Sequence, residues 1–444
     1  MRPFLLKANI SGIKNIEKDI TLEFYNQSKI DKIFTNEFNV SAIYGENGSG
    51  KTAIVDAFDV FRNIILNRDY LILHEKEVES LINKKTNKFC FEIFFTFYDE
   101  INFKTRDLFS YYFEIEKKLG SLLISKEIFS SSKKKDTYHE FNKIFECTYG
   151  VAKVFHNNLE DFTTKGIAQN LDPRSSLASK FLNFVISNDN VFFNKAPNSF
   201  NFIGDILLLF SFAYNIEVSI QNTDKHDELD LNLTREDEDK IKNLGFNTMK
   251  FVRFLKEGSV SKNRILKKEF NDYKKTVSRL CKFIKIFKSS LDDIKIDKKE
   301  DGKYYVTSLV FVYGKYSIDE DFESTGIKKL IKLFSYIDKA ANGEIVIIDE
   351  LDANICGTYL KRLVEFISNY GKGQLIFTCH ALDPMYVLSN KKKSIQFLTD
   401  DGIVPWVKNG NYKPYNLYPD GMISGLPFNT QDFDFLSIFM GDNK

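Results

Sequence analysis

Residues 38–52 read FNVSAIYGENGSGKT, an apolar segment that runs directly into a glycine-rich one. The apolar part, residues 38–44, predicts a short buried strand, and the spacing of apolar residues over 52–65 predicts a helix. The loop between them matches the pattern G-x-x-x-x-G-K-[ST]. Backbone N–H groups of such a loop, together with the dipole of the helix that follows, attract phosphate groups. The stretch therefore predicts a phosphate-binding loop.

This loop predicts the binding of ATP with Mg²⁺. Lys51 is expected to reach the β- and γ-phosphates, and the hydroxyl of Thr52 is expected to coordinate Mg²⁺. The glycines allow the backbone to wrap closely around the phosphates. The candidate nucleotide-binding residues of the loop are Gly45, Glu46, Asn47, Gly48, Ser49, Gly50, Lys51 and Thr52.

A second candidate segment, EIVIIDE, occupies residues 344–350. Its four apolar residues predict a buried parallel strand, and ligands of open α/β sheets bind at the carboxyl ends of such strands. Asp349 is expected to hold Mg²⁺, directly or through water. Glu350 is expected to orient or deprotonate the attacking water.

Two further segments carry candidate side chains. His380 ends the apolar segment LIFTCH, and this position after the acidic pair predicts a sensor of the γ-phosphate, since an imidazole can donate hydrogen bonds. Ser324 and Gly326 belong to ESTG, residues 323–326. Ser324 is a plausible helix N-cap, but a helix that starts with small and hydroxyl residues also makes an anion site. The segment alone leaves both roles open.

The pattern of the remaining chain is mixed. Phe4–Ile10 and Ile20–Phe24 predict a hairpin, and residues 88–130 predict antiparallel strands. Residues 140–295 are mostly helical in pattern. From residue 300 onward the order β-α-β-α-β, beginning with the strand segment KYYVTSLVFVYG, is typical of a parallel sheet with crossover helices.

A helical segment over residues 262–288 combines an apolar seam with a basic face. The seam predicts a helix that packs against a partner helix. The other faces carry ten Lys or Arg and two acidic residues. This surface is either a solvated face of an inserted arm, a phosphate-contacting surface, or a protein interface. The seam residues are Leu266, Phe270, Tyr273, Val277, Leu280, Ile284 and Phe287.

The composition of the chain excludes some classes of protein. The 444 residues include 62 Lys or Arg and 61 Asp or Glu, so a whole-chain basic field for nucleic acid is absent. The five cysteines are widely spaced, which argues against a disulfide framework and favours a reducing cytoplasm. The N-terminus does not resemble a signal peptide. The longest apolar run, residues 206–214, is shorter than the roughly 20 residues of a membrane span and predicts a buried helix.

These segments together resemble the SMC/RecF-type ABC ATPases. More narrowly, they resemble AAA-labelled bacterial ATPases related to the overcoming-lysogenization-defect proteins and to abortive-infection ATPases. The resemblance implies an α/β fold, a P-loop NTPase head of the ABC type with a mixed sheet, an antiparallel β subdomain and an inserted, mostly helical arm. The implied division is a head built from residues 1–135 and 299–444, with the arm over 136–298. The segments that carry the resemblance are NISGIKNI, YGENGSGKT, ESTGIKKL, VIIDELDAN, LIFTCH and GLPF.

In relatives of this kind, ATP lies between two heads. The resemblance implies that Ser324 and Gly326 contact the γ-phosphate of ATP bound to a second subunit. It places Asp352 in a loop that crosses the dimer interface, and it matches Lys14 to a basic residue near the nucleotide.

The function implied is a cytoplasmic ATPase that forms an ATP-dependent dimer or higher homo-oligomer and controls a partner effector in anti-phage defence. Only 64 residues follow His380, too few for the Toprim nuclease of full-length overcoming-lysogenization-defect proteins, so a nuclease or toxin is expected on a separate chain. A RecF-like DNA-binding ATPase and an ATP-gated scaffold with little hydrolysis are the alternatives. Nucleic acid remains a candidate partner, whereas a membrane is not expected.

Overall fold

The chain divides into two compact units in a computed structural model. The first unit comprises Met1–Thr223 and Ala340–Lys444, and the second comprises Asp224–Lys339. These boundaries differ from the expected divisions after residues 135 and 298, because strands within 136–298 pair with strands of the first unit. The structure describes residues 2–25, 37–98, 105–118, 120–132, 141–154, 171–181, 200–220, 263–391, 393–408, 412–423 and 425–426.

The strands are numbered in chain order through both units. They are β1 (Arg2–Ser11), β2 (Ile20–Glu23), β3 (Val40–Tyr44), β4 (Lys88–Tyr98), β5 (Thr105–Lys118), β6 (Ser121–Ser132), β7 (Asn142–Thr148), β8 (Val151–Val154), β9 (Ile216–Ser219), β10 (Asn263–Leu266), β11 (Asp293–Asp301), β12 (Tyr304–Tyr313), β13 (Tyr316–Asp319), β14 (Ile345–Ile348), β15 (Gln374–Thr378), β16 (Ile395–Thr399) and β17 (Gly402–Pro405).

The helices used below are numbered in the same way. They are α1 (Lys51–Leu66), α2 (Tyr70–Leu73), α3 (Glu75–Leu81), α4 (Phe200–Tyr214), α5 (Phe270–Phe287), α6 (Thr325–Asn342), α7 (Gly357–Tyr370), α8 (Asp383–Leu388) and α9 (Pro414–Leu417). No helix in the described part of the chain is long and apolar enough to cross a membrane.

The first unit contains a seven-stranded antiparallel sheet in the order β2-β1-β4-β5-β6-β7-β8. The predicted hairpin is confirmed, since Ala8 pairs with Leu22 between β1 and β2. The antiparallel strands predicted for residues 88–130 are confirmed as β4, β5 and β6. The mostly helical pattern predicted for 140–295 is wrong at β7 and β8, which extend this sheet. Both strands are short, so their alternation of apolar and polar residues does not stand out within a long segment that is mostly helical in pattern.

The second sheet of the first unit has the order β17-β16-β3-β15-β14-β9. Strand β3 lies between β15 and β16 and is parallel to both. The buried strand predicted before Asp349 is confirmed, because all four residues of β14 are buried. Strand β9 pairs in parallel with β14, although its sequence falls in the interval expected to form the helical arm. The strand segment expected to begin the parallel order, β12, belongs to another sheet.

Phenylalanine rings join the helices of the first unit to its antiparallel sheet. Phe95 of β4 stacks on Phe212 of α4 with ring centroids 4.0 Å apart, and Phe61 of α1 stacks on Phe91 at 5.5 Å. All four rings are buried. Residues 206–214 lie within α4, and Leu209, Phe212 and Ala213 are fully buried there, so the predicted buried helix is confirmed. Apolar burial of this kind is the main stabilising contribution to the unit.

Gln374 at the start of β15 connects the two sheets of the first unit. Its side-chain Nε2 donates to the carbonyl of Leu5 at 3.0 Å, and its Oε1 accepts from the N–H of Leu5 at 2.7 Å. The register of β1 against β4 shifts between Leu5 and Lys7, which indicates a bulge. A buried amide therefore satisfies backbone groups that the bulge removes from the ladder.

The second unit contains the antiparallel sheet β10-β12-β11, with β13 also paired to β12. Helix α5 packs on this sheet. The ring of Phe270 lies 4.8 Å from that of Tyr305, and the hydroxyl of Thr307 donates to that of Tyr273 at 3.2 Å. Helix α5 also contacts a helix, since the ring of Phe283 lies 5.6 Å from that of Phe334 on α6. The predicted helix partner is therefore present, but the seam residues themselves pack on the sheet, because a buried stripe at helical spacing packs equally well there. Leu266 lies in β10 rather than in the helix.

Candidate functional site

The loop between β3 and α1 adopts a backbone that depends on glycine. Gly48 has φ of 81° and Gly50 has φ of 110°, both in the left-handed region that favours glycine. A Cβ on Gly50 would also lie 2.9 Å from Cγ1 of Ile16. Helix α1 begins directly after Gly50, so its first N–H groups and the loop N–H groups meet at one place. This arrangement suits an anion.

Lys51 is the first residue of α1 and is buried. Its ammonium donates to the carbonyl of Gly45 at 2.7 Å and to that of Glu46 at 2.8 Å, so the side chain folds back over the loop. Burial lowers the pKa of Lys51, and the negative charges of Asp349 and Glu350 partly oppose this effect. The structure thus places the acidic pair near the ammonium of the loop lysine.

Thr378 fixes the acidic pair. Its hydroxyl donates to Oδ1 of Asp349 at 2.6 Å and accepts from the N–H of Glu350 at 2.7 Å. Asp349 is buried, and Glu350 has φ of 48°, an uncommon backbone for a residue other than glycine. Sequence reasoning missed Thr378. The sequence does show a hydroxyl residue near the carboxyl end of LIFTCH, a strand that lies next to the strand before Asp349.

Asp352 and His380 are connected through the backbone. Oδ2 of Asp352 accepts from the N–H of His380 at 3.0 Å and from the N–H of Ala381 at 2.8 Å. His380 is exposed at the end of β15. Asp352 therefore holds the position from which the imidazole projects, a role within one chain that the sequence did not predict.

The turn between β1 and β2 lies against the phosphate-binding loop. The side-chain amide of Asn15 donates to the carbonyl of Gly48, and the ammonium of Lys14 forms an ion pair with Asp56 of α1. Lys14 has φ of 47°, and Nδ2 of Asn83 donates to its carbonyl at 2.7 Å. The predicted residue Lys14 is thus placed beside α1. Asn15, which contacts the loop itself, was missed because an isolated Asn carries no pattern.

The sequence matches a protein-family model described as "AAA domain, putative AbiEii toxin, Type IV TA system" over residues 40–382, more than half of the chain. The chain belongs to this family. The AAA domain is that of a P-loop ATPase, so the predicted nucleotide-binding class is confirmed at this level. No curated protein matches the chain.

In this AAA-domain protein, Ser324 and Gly326 belong to the second unit, whereas the other predicted site residues belong to the first. The hydroxyl of Ser324 accepts from the N–H of Ile327 at 3.4 Å, and its carbonyl accepts from the N–H of Lys328 at 3.1 Å. Ser324 is therefore the N-cap of α6. Gly326 is exposed, and a Cβ there would meet no atom closer than 4.0 Å.

The residues of the site fit a nucleoside triphosphate with Mg²⁺, which AAA-domain ATPases use. The hydroxyl of Ser49 and Oδ1 of Asp352 are buried without a hydrogen-bond partner among the described residues. Buried polar atoms of this kind are normally satisfied, so both can serve a ligand. Thr52 and Asp349 offer the hydroxyl and carboxylate oxygens that Mg²⁺ prefers.

Proposed function

We propose that this AAA-domain protein is an ABC-type ATPase that hydrolyses ATP between two copies of the chain and so controls a separate effector, a nuclease or a toxin. We place this activity in anti-phage defence by abortive infection. The observation that carries the proposal is the hydroxyl of Thr378, which bonds to both Asp349 and Glu350 at the site that also contains Lys51. The toxin–antitoxin wording of the family description supports the defence context.

The loop residues bind and orient the substrate. Lys51 and the N–H groups at the start of α1 hold the β- and γ-phosphates, and Thr52 and Asp349 hold Mg²⁺. Bound Mg²⁺ neutralises charge that develops on the phosphate oxygens. The ammonium of Lys51, which donates to the carbonyls of Gly45 and Glu46 in the structure, would exchange these bonds for bonds to the phosphates.

Glu350 acts on the water. Its carboxylate orients a water molecule for attack on the γ-phosphorus and accepts the proton as the oxygen–phosphorus bond forms and ADP leaves. The bond from the N–H of Glu350 to Thr378 fixes the backbone that carries this carboxylate. His380 is proposed to donate to the γ-phosphate from the backbone position set by Asp352.

The second head is proposed to contribute Ser324 and Gly326. The start of α6 is exposed, and the missing side chain of Gly326 leaves room for close approach of a phosphate. Phe322, two residues before Ser324, has a side chain 83% exposed to solvent. Aromatic residues are enriched at protein interfaces, which favours an interface at this surface. Asp352 is proposed to lie in the loop next to that interface.

ATP hydrolysis by the purified chain tests the proposal, with molecular mass measured in the presence and absence of ATP. Lys51→Ala is expected to lose binding and hydrolysis. Glu350→Gln is expected to bind ATP, lose hydrolysis and accumulate a species of twice the mass. Glu365→Gln, which alters a half-buried carboxylate on α7 that pairs with Arg362, is the matched control and should behave as the wild type. Binding without hydrolysis or change in mass would overturn the proposal in favour of an ATP-gated scaffold.

A further inference from the structure

The second unit contains an open groove between α5 and β11, with a volume of about 630 Å³. Five lysines line it. Lys274, Lys282 and Lys285 come from one face of the helix, and Lys295 and Lys298 come from the strand. Residues 274, 278, 282 and 285 follow one another at helical spacing, so the basic side chains form a stripe along the groove.

The five ammonium groups of the groove are not neutralised by ion pairs with described carboxylates. Some basic residues of the same unit outside the groove do form such ion pairs. Their ion pairs are Arg264–Asp301 at 2.5 Å, Lys267–Glu300 at 2.7 Å and Lys275–Asp272 at 3.0 Å. Five uncompensated positive charges therefore line one concave surface, and such a surface focuses the electric field.

One carboxylate, that of Asp293, also lines the groove. Its Oδ1 accepts from the N–H of Ile294 at 2.9 Å and lies 3.9 Å from the sulfur of Cys281. Asp293 is thus hydrogen-bonded to residues that line the groove, and its single negative charge faces the five positive charges of the lysines. The groove has the electrostatics of a site for a polyanion.

We propose that this groove binds the phosphate backbone of a nucleic acid, without regard to sequence. The twelve residues from Lys274 to Lys285 extend about 16 Å along a helix. That length matches about five phosphates of one strand, at roughly 3.4 Å each. The lining residues that the structure describes include no Arg, Asn or Gln, which are the side chains that read base edges in pairs of hydrogen bonds. Lysine instead acts as a point charge suited to phosphates.

A simpler role accounts for only part of the stripe. Strand β11 is at the edge of its sheet, and lysines on an edge strand prevent pairing with other chains. This role explains Lys295 and Lys298. It does not explain the three lysines on α5, since a helix has no free edge to protect. Lys274 and Lys298 also lie over the ring of Phe270, at 4.9 and 4.5 Å from its centroid, but a cation–π contact leaves their charge uncompensated. A polyanion between the two elements would compensate all five charges.

Fluorescence anisotropy of the full chain with labelled single-stranded DNA, duplex DNA and RNA, over a series of salt concentrations, tests the proposal. If all five lysines contact phosphates, log K should fall with log[salt] at a slope of about −3.5 for a single strand and about −4.5 for a duplex. Lys282→Gln combined with Lys285→Gln should weaken binding about tenfold and reduce the slope by about two. Lys268→Gln combined with Lys275→Gln makes the same change in charge outside the groove and should leave binding unchanged.

Three results would overturn the proposal. These are no binding of any of the three nucleic acids, an equal loss in both double variants, and competition by polyglutamate as effective as that by unlabelled oligonucleotide. The last result would assign the groove to an acidic protein. Circular dichroism melting establishes that both variants fold. Because the lysines lie outside the proposed ATP site, ATP hydrolysis by the groove variant without nucleic acid should equal that of the wild type, so this proposal and the proposed ATPase function fail separately.

Discussion

Thr378 and Asp349 are joined across neighbouring parallel strands by a hydrogen bond of 2.6 Å from the hydroxyl to Oδ1. The same hydroxyl accepts from the N–H of Glu350 at 2.7 Å. One small side chain therefore fixes both the residue proposed to hold Mg²⁺ and the residue proposed to act on water. Residues that orient a metal ligand commonly affect activity as much as the ligand does.

Thr378→Val is expected to lower the turnover number of ATP hydrolysis by about 10- to 100-fold. Valine keeps the shape of threonine but removes the donor and the acceptor, so Asp349 and Glu350 lose their common support. ATP affinity, measured by isothermal titration calorimetry, should change much less. Thr378→Ser restores the hydroxyl and should recover most of the turnover. Equal turnover by the valine and wild-type proteins would show that Thr378 does not position the acids.

Asn15→Ala is expected to weaken ATP binding about fivefold, with little change in thermal stability. The side-chain amide of Asn15 donates to the carbonyl of Gly48, and one such bond contributes about 1 kcal/mol. Asn271→Ala, which alters an exposed amide on α5, is the control. Titration of each variant with ATP gives the comparison. An equal loss of ATP affinity in both variants would show that the contact of Asn15 with the loop is not the cause.

The ion pair of Lys14 with Asp56 predicts a pH-dependent stability. Burial raises the pKa of Asp56, and Lys14 partly offsets this. Because the pKa of Asp56 is higher in the folded state than in the unfolded state, the folded protein binds the proton more tightly. The contribution of Asp56 to the free energy of unfolding is thus present at low pH and is lost as pH rises through the raised pKa.

Lys14→Met removes the offset, so we expect a loss of about 1–2 kcal/mol in the free energy of unfolding at neutral pH. The loss should shrink at lower pH, as Asp56 takes up a proton. The double variant with Asp56→Asn should recover most of it, because no buried carboxylate is then left unpaired. Urea unfolding at the two pH values measures all three proteins. Simple addition of the two single effects would contradict this coupling.

Asp352→Ala is expected to reduce ATP hydrolysis through His380. The substitution leaves the N–H groups of His380 and Ala381 without their acceptor. The backbone that positions the imidazole is then no longer held in place. If His380 senses the γ-phosphate, His380→Ala should lower turnover as well, and the double variant should be little worse than either single one. Steady-state kinetics of the three variants make the test. Multiplicative losses would mean that the two residues act independently.

The parts of the site that form from contiguous residues could be predicted from the sequence. The loop before Lys51 and the strand before Asp349 are local features. Adjacent glycines determine the conformation of the loop, and adjacent apolar residues determine that of the strand. Thr378 and Asn15 could not be predicted in this way. Each contacts a partner about thirty positions away in the chain, and one sequence does not reveal which distant strand or turn will be its neighbour.

The errors in the fold have a similar origin. The apolar stripe of α5 correctly predicts a helix, but it specifies only that one face is buried and not whether a helix or a sheet buries it. Strand β9 has four residues and follows the apolar helix α4 after one residue. Because the strand is so short, its alternation of apolar and polar residues cannot be told from the pattern of the helix before it. Its place beside β14 depends on the backbone pairing of Ile345 with Ile216, a contact between distant segments.

Strand β3, which leads into the phosphate-binding loop, has β15 and β16 as its two neighbours. Both neighbours follow it by more than 300 residues, at Gln374–Thr378 and Ile395–Thr399. During translation, domains form as their segments leave the ribosome, and pairings between distant segments form slowly. A nascent chain that ends before β15 therefore carries the glycine-rich loop without the sheet that supports it. The capacity to bind ATP therefore arises only after β15 and β16 have been synthesised, which keeps shorter nascent chains out of any nucleotide-dependent assembly.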